Sequence, residues 1–168
     1  SVVDVLARNT QTGLQIFLNV IAMLIVVVAL VHLANSILAL LPDFYGAPIS
    51  MERMLGYLFA PFVWLLGIPW SEAVQAGQLM GIKVVLTEFM AYIEFGSLPA
   101  DALNARSDVI MTYALCGFAN FISLGIMITG LAVMAPERRD EITALAMKSL
   151  IAGTIATSTT ACLIGILY

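Results

Sequence analysis

The residues best placed to do chemistry in this chain are one ammonium and one carboxylate set in apolar sequence. Lys83 and Glu88 lie in the stretch MGIKVVLTEFMAY, residues 80–92, which holds no other charged side chain. A charge at the centre of a bilayer costs about 2.5–3.5 kcal/mol on insertion scales, so such residues tend to face a protein interior or an aqueous cavity. Glu88, whose ionised carboxylate only accepts hydrogen bonds, is therefore a candidate to bind a polar solute.

A structural ion pair between Lys83 and Glu88 is the alternative explanation for these charges. A separation of five residues places two side chains roughly 140° apart on a helix, away from the i+3 and i+4 positions where side chains meet. Such a pair would need a turn between the two residues or a second helix beside them. Spacing alone leaves both explanations open.

A second polar cluster occurs in the apolar stretch CGFANFISLG. Asn120 and Ser123 lie there between Gly117 and Gly125, and Phe118 precedes them. A helix would place Asn120 and Ser123 on one face, because they are three residues apart. An amide and a hydroxyl both suit a hydroxylated ligand, with Phe118 as an apolar wall. The alternative is that these polar side chains only join neighbouring helices.

The composition is that of an integral membrane protein. Hydrophobic residues make up 61% of the 168 residues and charged residues 11%, whereas a soluble domain carries about 25% charged residues. The seven Lys and Arg residues are scattered, so no basic patch supports nucleic-acid binding. With one His and no H-E-x-x-H or G-x-S-x-G motif, the sequence predicts no catalytic residues and no metal ligands in this segment.

The apolar runs predict an all-α fold with long transmembrane helices, a re-entrant helical hairpin and an interfacial helix. A spanning helix needs about 20 apolar residues, and the first run, Thr12–Leu41, exceeds that length before Pro42 ends it. Ser50 is the expected cap of a short interfacial helix in SMERMLGYLF. Glycines and charges interrupt residues 73–98, which favours a re-entrant hairpin over a straight span.

Two later runs, 107–134 and 142–168, are each long enough to cross the bilayer. The chain starts without an initiator Met and enters a membrane run directly, so we expect a piece of a longer protein. The predicted regions are a long scaffold helix (1–42), an interfacial helix with its connector (43–72), a re-entrant hairpin of the transport domain (73–98) and two transmembrane helices of the transport domain (99–168).

The charged stretch resembles the signature of the concentrative nucleoside transporters, G-x-K-x-x-x-N-E-F-V-A-[YFM]. This chain has the residue that the signature requires at six positions: Gly81, Lys83, Glu88, Phe89, Ala91 and Tyr92. Thr87 replaces the usual Asn and Met90 the usual Val. The stretch YALCGFANFISLGI, residues 113–126, is similar to the G-F-A-N-F-x-S segment of the same family, and the two motifs occur in the right order.

The resemblance covers essentially the whole chain, as the C-terminal half of a bacterial-type transporter. It implies a multi-pass protein of the inner (plasma) membrane that forms a homotrimer with a scaffold and a mobile transport domain. The N-terminal half of the same transporter would complete the site, and residues 107–134 would form a partly unwound helix facing the hairpin. The implied function is cation-coupled symport of nucleosides, with sodium or protons as the coupling cation and no organic cofactor.

The resemblance also implies roles for individual residues. Glu88, Asn120 and Ser123 would hold the ribose, with Phe118 beside the base. Lys83 and Thr87 would support the hairpin, although the missing carboxamide at Thr87 puts the geometry of its tip in doubt.

Three features stay open at this point. The sequence does not decide between sodium and protons, or between purines and pyrimidines. The alternatives to symport are a passive channel for polar solutes and a different secondary transporter. A channel would place polar residues along a continuous stripe, whereas here they cluster in the hairpin and the helix that faces it.

Overall fold

The computed structural model of the protein describes residues 2–42 and 48–168. Within these residues the secondary structure is helical and contains no strand, which confirms the predicted all-α class. Residues 43–47, in the predicted connector, lie outside the described residues. The helices are α1 (Val2–Leu38), α2 (Met51–Leu65), α3 (Trp70–Val85), α4 (Glu88–Ser97), α5 (Ala105–Leu115), α6 (Phe121–Met134) and α7 (Arg139–Leu167), with a one-turn 3₁₀ helix at Pro136–Arg138.

Helix α1 belongs to the first of two compact units, residues 1–48. It begins at Val2, before the apolar run that starts at Thr12, because extending an existing helix costs little compared with nucleating one. It ends at Leu38 rather than Leu41, because residues just before a proline such as Pro42 avoid the helical conformation. None of the described residues in its most apolar stretch is buried.

Helix α2 opens the second unit, residues 49–168. Ser50 caps it as predicted, since its hydroxyl accepts a hydrogen bond from the Arg53 backbone N–H at 3.2 Å. Pro61 does not interrupt the helix, because α2 continues through it to Leu65. Pro61 lies on an exposed face of α2, so the N–H that it lacks is missing from the outer side of the helix.

Helices α2 and α3 cross at a bend of 116°. Their contact, here called the α2–α3 crossing, is built on Gly56, Gly77 and Gly81. A Cβ atom on Gly77 would collide with the Gly56 carbonyl oxygen and lie 2.9 Å from the Ala60 nitrogen. Backbone therefore packs directly on backbone, which fixes the path of α3 and buries its C-terminal half.

Arg106 joins the ends of three helices. Its Nη1 donates to the Gly67 carbonyl at 2.7 Å and its Nε to the Gly165 carbonyl at 2.9 Å. Gly67 follows α2 with a φ of 100°, a conformation that glycine adopts at little cost. The guanidinium thus binds carbonyls at the C-terminal ends of α2 and α7, where the helix dipole favours a positive charge.

In the described ranges 2–42 and 48–168, two helical segments are long and apolar enough to cross a membrane, Val2–Leu38 and Pro136–Leu167. The bent pair α2 and α3 passes the same test as a broken span, and α6 contains a shorter apolar helix. The run 107–134, expected as a partly unwound helix, is divided into α5 and α6 by residues 116–120. A second break, at residues 86–87, separates α3 from α4.

Candidate substrate site

The first half of the site is the break between α3 and α4. Leu86 departs from helical geometry with φ −100° and ψ −100°, and Thr87 is extended. The Thr87 hydroxyl accepts the Met90 N–H at 3.2 Å and so caps α4. An Asn at this position would cap in the same way, so the replacement of Asn by Thr keeps the hairpin tip capped. Glu88 is then the first residue of α4, where the helix dipole stabilises a carboxylate.

The second half is the break between α5 and α6. Cys116 has φ −73° and ψ 73°, and the Gly117 N–H donates to the Leu115 carbonyl at 2.8 Å, which is an inverse γ-turn. The Asn120 N–H donates to the Phe118 carbonyl at 3.0 Å across a second tight turn. These two turns replace helical hydrogen bonds and end at Asn120, the cap of α6.

One hydrogen bond connects the two breaks. Asn120 Nδ2 donates to Glu88 Oε2 at 2.8 Å, and Asn120 Oδ1 accepts the Ser123 N–H at 2.7 Å. Since an ionised carboxylate only accepts and a backbone N–H only donates, these partners fix the orientation of the Asn120 amide. We call this arrangement of Glu88, Asn120 and Ser123 the inner junction.

The inner junction keeps unused hydrogen-bonding capacity. Asn120 is 1% exposed, and its amide has a second N–H beyond the one given to Glu88. Within the described residues, Glu88 Oε1 accepts no hydrogen bond. The bonded pair of side chains thus has one unused acceptor and one unused donor, and a vicinal diol offers the complementary groups because each hydroxyl both donates and accepts.

Lys83 lies in the last turn of α3, close to the first break. Its side chain is fully buried, and its Nζ forms no hydrogen bond within the described residues. The Glu88 carboxylate is the charge that attracts it electrostatically. A buried ammonium is costly without an opposite charge, so this placement is compatible with the predicted support of the hairpin.

A cleft of about 510 Å³ lies between the second break and α7. Three of the four predicted binding residues line it, namely Phe118, Asn120 and Ser123. Phe118 is 78% exposed, which is unusual for a large apolar side chain. Glu88 does not line the cleft; it is connected to it through the hydrogen bond to Asn120.

One part of the predicted geometry is wrong. Asn120 and Ser123 were expected on one face of a helix, but Asn120 precedes α6 and caps it. Their three-residue spacing is that of a cap, in which the Asn side chain bonds the backbone N–H of Ser123. The Ser123 hydroxyl remains available to other partners, because the cap uses its main chain only.

The family of the chain follows from residues 1–165, which match the family described as Na+ dependent nucleoside transporter C-terminus. The chain belongs to this family. This confirms the resemblance seen in the two sequence motifs and the membrane assignment, and it agrees with the expectation that the chain is not an enzyme. The chain is part of a multi-pass membrane protein of the plasma membrane.

Curated relatives include transporters from bacteria and vertebrates. An uncharacterised transporter, YutK of Bacillus subtilis, is 44% identical over 98% of this chain and 41% of its own length. Nucleoside permease NupC of Helicobacter pylori is 36% identical over 98% of this chain and 40% of its own length. The human solute carrier family 28 member 3 is 34% identical, with 99% of this chain and 26% of its own length covered. The chain thus spans less than half the length of these relatives.

Solved structures of a transporter, CNTnw, have the same fold as this chain. The transporter CNTnw in an inward-facing substrate-bound state superposes with a TM-score of 0.83 at 39% identity, covering 92% of this chain and 38% of CNTnw. A variant of CNTnw in an intermediate state reaches a TM-score of 0.87 at 38% identity over 100% of this chain and 42% of CNTnw.

Sequence reasoning missed the wall that α7 contributes to the cleft. This wall is formed by small and hydroxylated residues, Ser149, Gly153, Ala156 and Thr157. The Thr157 hydroxyl bonds the Gly153 carbonyl at 3.2 Å, as expected for a helix-packing residue. The signal that points to this wall is the recurrence of small residues at positions 149, 153, 156 and 157, which places them on one helix face.

Proposed function

We propose that the chain is the C-terminal half of a cation-coupled nucleoside symporter of the plasma membrane and supplies its ribose site. The observation that carries this proposal is the hydrogen bond of 2.8 Å between Asn120 and Glu88, which joins two helix breaks through a buried amide. Discontinuous helices that meet in this way are how many secondary transporters build a polar site within the membrane.

The chemistry of the inner junction supports a sugar ligand. Glu88 Oε1 accepts a ribose hydroxyl in a charge-assisted hydrogen bond. The second N–H of Asn120 donates to the neighbouring hydroxyl, and the Ser123 hydroxyl, three residues on, is available to either partner. Phe118, exposed at the second break, provides an apolar surface beside the base. Leaving a buried hydroxyl unpaired would cost about 1–3 kcal/mol, which gives the site its selectivity for ribose.

Lys83 and Thr87 hold Glu88 in place in this proposal. Thr87 caps the helix that begins at Glu88, and Lys83 supplies the opposite charge from the preceding helix. These two contacts keep the carboxylate in a fixed position next to apolar sequence, where it can accept hydrogen bonds. Both residues support the hairpin rather than contact the nucleoside.

The transport step uses a cation gradient in this proposal. Sodium or protons are the coupling cation, and each positive charge that moves inward gains about 2.3 kcal/mol per 100 mV of membrane potential. The N-terminal half of the same transporter, which corresponds to the remaining length of the relatives, completes the site. The working assembly is a homotrimer, which the mass of the purified full-length protein in detergent tests directly.

Uptake of radiolabelled uridine into proteoliposomes containing the full-length transporter tests the function. Imposed sodium and proton gradients are compared, and one of them should drive accumulation. Glu88→Gln should lower uptake about 100-fold or more, because the amide lacks the charge that strengthens the bond to ribose. Uptake in Glu88→Gln equal to the parent's would refute the substrate role, and flux without any gradient would favour a passive pore.

Two variants separate ribose binding from a structural ion pair. Glu94→Gln is the matched control, since Glu94 is an exposed carboxylate on the same helix, and it should transport like the parent. Lys83→Met combined with Glu88→Gln removes both charges and should restore any folded protein that Glu88→Gln loses. A purely structural pair predicts that this double variant also regains uptake, whereas ribose binding predicts that it does not.

A further inference from the structure

Helix α4 contacts both halves of the broken helix through residues one turn apart. Glu88 and Tyr92 are four residues apart and therefore share one face of α4. Glu88 binds the cap of α6 at Asn120, whereas the Tyr92 hydroxyl donates to the backbone carbonyl of Thr112 in α5 at 2.6 Å. The two contacts lie about 6 Å apart along α4.

The Thr112 carbonyl has lost its partner in the helix. In a continuing α-helix it would accept the N–H of Cys116, but that N–H bonds the Tyr113 carbonyl at 3.3 Å instead. A carbonyl without a partner in an apolar medium costs several kcal/mol. The Tyr92 hydroxyl supplies the missing donor at the point where α5 ends.

We propose that Tyr92 is a positioning residue of the substrate site, because its hydroxyl and the Glu88 carboxylate together hold the ends of α5 and α6 at a fixed separation. Residues 116–120 lie between these two ends, and Phe118 and Asn120 are among them. A change in separation moves the Asn120 amide relative to Glu88. The proposal rests on the proposed function for its effect on nucleosides, but its structural part does not.

Removal of the hydroxyl should therefore weaken nucleoside binding without removing any group that touches the nucleoside. Tyr92→Phe keeps the ring and its packing. The KM for uridine should rise about 3- to 10-fold, the range that corresponds to one neutral hydrogen bond, while the maximal rate stays within about two-fold. A purely structural cap would lower the amount of folded transporter and leave the KM unchanged.

The alkylation rate of the Cys116 thiol also depends on the separation between the ends of α5 and α6, and it can be measured without transport. Cys116 is exposed in the second break and lies beside Tyr92. In full-length transporter with Cys162 and any other cysteine replaced by Ser, maleimide alkylation of Cys116 is timed with and without uridine. Tyr92→Phe should raise the alkylation rate about 3- to 10-fold in the absence of uridine, since the loosened end of α5 lets the Cys116 thiol move away from the Tyr92 ring more often.

Two controls match the change in Tyr92. Tyr113→Phe removes a hydroxyl from a neighbouring tyrosine that is 41% exposed on α5. Thr112→Val removes a side-chain hydroxyl that bonds the Asp108 carbonyl, while the Thr112 carbonyl that Tyr92 binds remains. Both variants should leave the KM and the Cys116 alkylation rate unchanged.

The outcomes distinguish the two proposals. A raised KM together with faster alkylation in Tyr92→Phe alone supports the positioning role. An unchanged KM, or an alkylation rate equal to the parent's, overturns it. If the parent transports no nucleoside, the proposed function fails, and the alkylation rate in detergent-purified protein still decides whether Tyr92 fixes the end of α5.

Discussion

The second unit contains two junctions of the same chemical design, one buried and one at the surface. At the inner junction, Asn120 caps α6 through the Ser123 N–H and donates to Glu88. At what we call the outer junction, Asn104 caps α5 through the Ser107 N–H at 2.9 Å and donates to Glu72 at 2.8 Å. In each junction the Asn and the Glu are 32 residues apart.

The two junctions differ in burial and in how fully the carboxylate is used. Asn104 is exposed, whereas Asn120 is 1% exposed. Both oxygens of Glu72 accept from Asn104, since the backbone N–H of Asn104 also reaches Oε2 at 3.3 Å. Only one oxygen of Glu88 is used within the described residues.

This difference separates a structural contact from a binding site. The outer junction uses both oxygens of its carboxylate within itself and joins the start of α3 to the start of α5. The inner junction holds the same groups in a drier environment, where a hydrogen bond is stronger and an unpaired group costs more. Its unused carboxylate oxygen is therefore expected to bind a ligand, whereas both oxygens of Glu72 already accept from Asn104.

The largest contrast is expected from changing each Asn to Asp. Asp still caps a helix, but it replaces the amide donor with a second carboxylate that faces the Glu. Asn120→Asp should lower uridine uptake about 100-fold or more, because the new buried carboxylate and the half-buried Glu88 carboxylate repel each other. Asn104→Asp, where water screens the charges, should lower uptake less than about three-fold.

A double variant tests whether the loss comes from the pairing itself. Combining Glu88→Gln with Asn120→Asp restores one donor and one acceptor with their positions exchanged. The thermal midpoint of unfolding should then recover most of what Asn120→Asp loses. Additive losses in the double variant would contradict a direct contact between the two side chains.

The outer junction should affect stability alone. Glu72→Gln combined with Asn104→Ala removes a cap and two exposed hydrogen bonds, with an expected loss of about 1–2 kcal/mol in the free energy of unfolding. The uridine KM should stay within about two-fold, since α5 has 11 residues and separates the two junctions by about 16 Å. Thermal unfolding and uptake are measured on the same preparation, and a large rise in KM would remove the distinction between the junctions.

The sequence predicts the helical class, the cap at Ser50 and the importance of the stretch around Glu88, because each depends on local composition or on a short motif. Composition alone does not locate the breaks within the hairpin and the partly unwound helix, since α2 runs through Pro61 while α5 ends at Leu115 without a proline nearby. Those ends depend on tertiary contacts, such as the Tyr92 hydroxyl at the end of α5.

The role of Asn120 also depends on tertiary structure and could not be predicted in full from the sequence. Its type and position indicate a polar site. The sequence spacing suggested that Asn120 shares a helix face with Ser123, whereas Asn120 precedes α6 and caps it. The repeated pattern Asn-x-x-Ser at 104–107 and 120–123 is a sequence signal for two caps. Which of the two caps is buried depends on the packing of α3 to α7 and is visible only in the folded chain.

The smallest effect within the inner junction is expected at Ser123, where the cap uses the main chain and leaves the side chain unused. Ser123→Ala keeps the N–H that Asn120 Oδ1 accepts, so the thermal midpoint should not change. If the hydroxyl contacts ribose, its loss removes one neutral hydrogen bond and should raise the uridine KM about 3- to 10-fold. Measuring KM for uridine beside a 2′,3′-dideoxy analogue locates the contact, because the analogue lacks the diol and should respond equally to Ser and Ala. An equal rise for both nucleosides would instead assign Ser123 to the base or to the fold, and the inner junction would then consist of Glu88 and Asn120 alone.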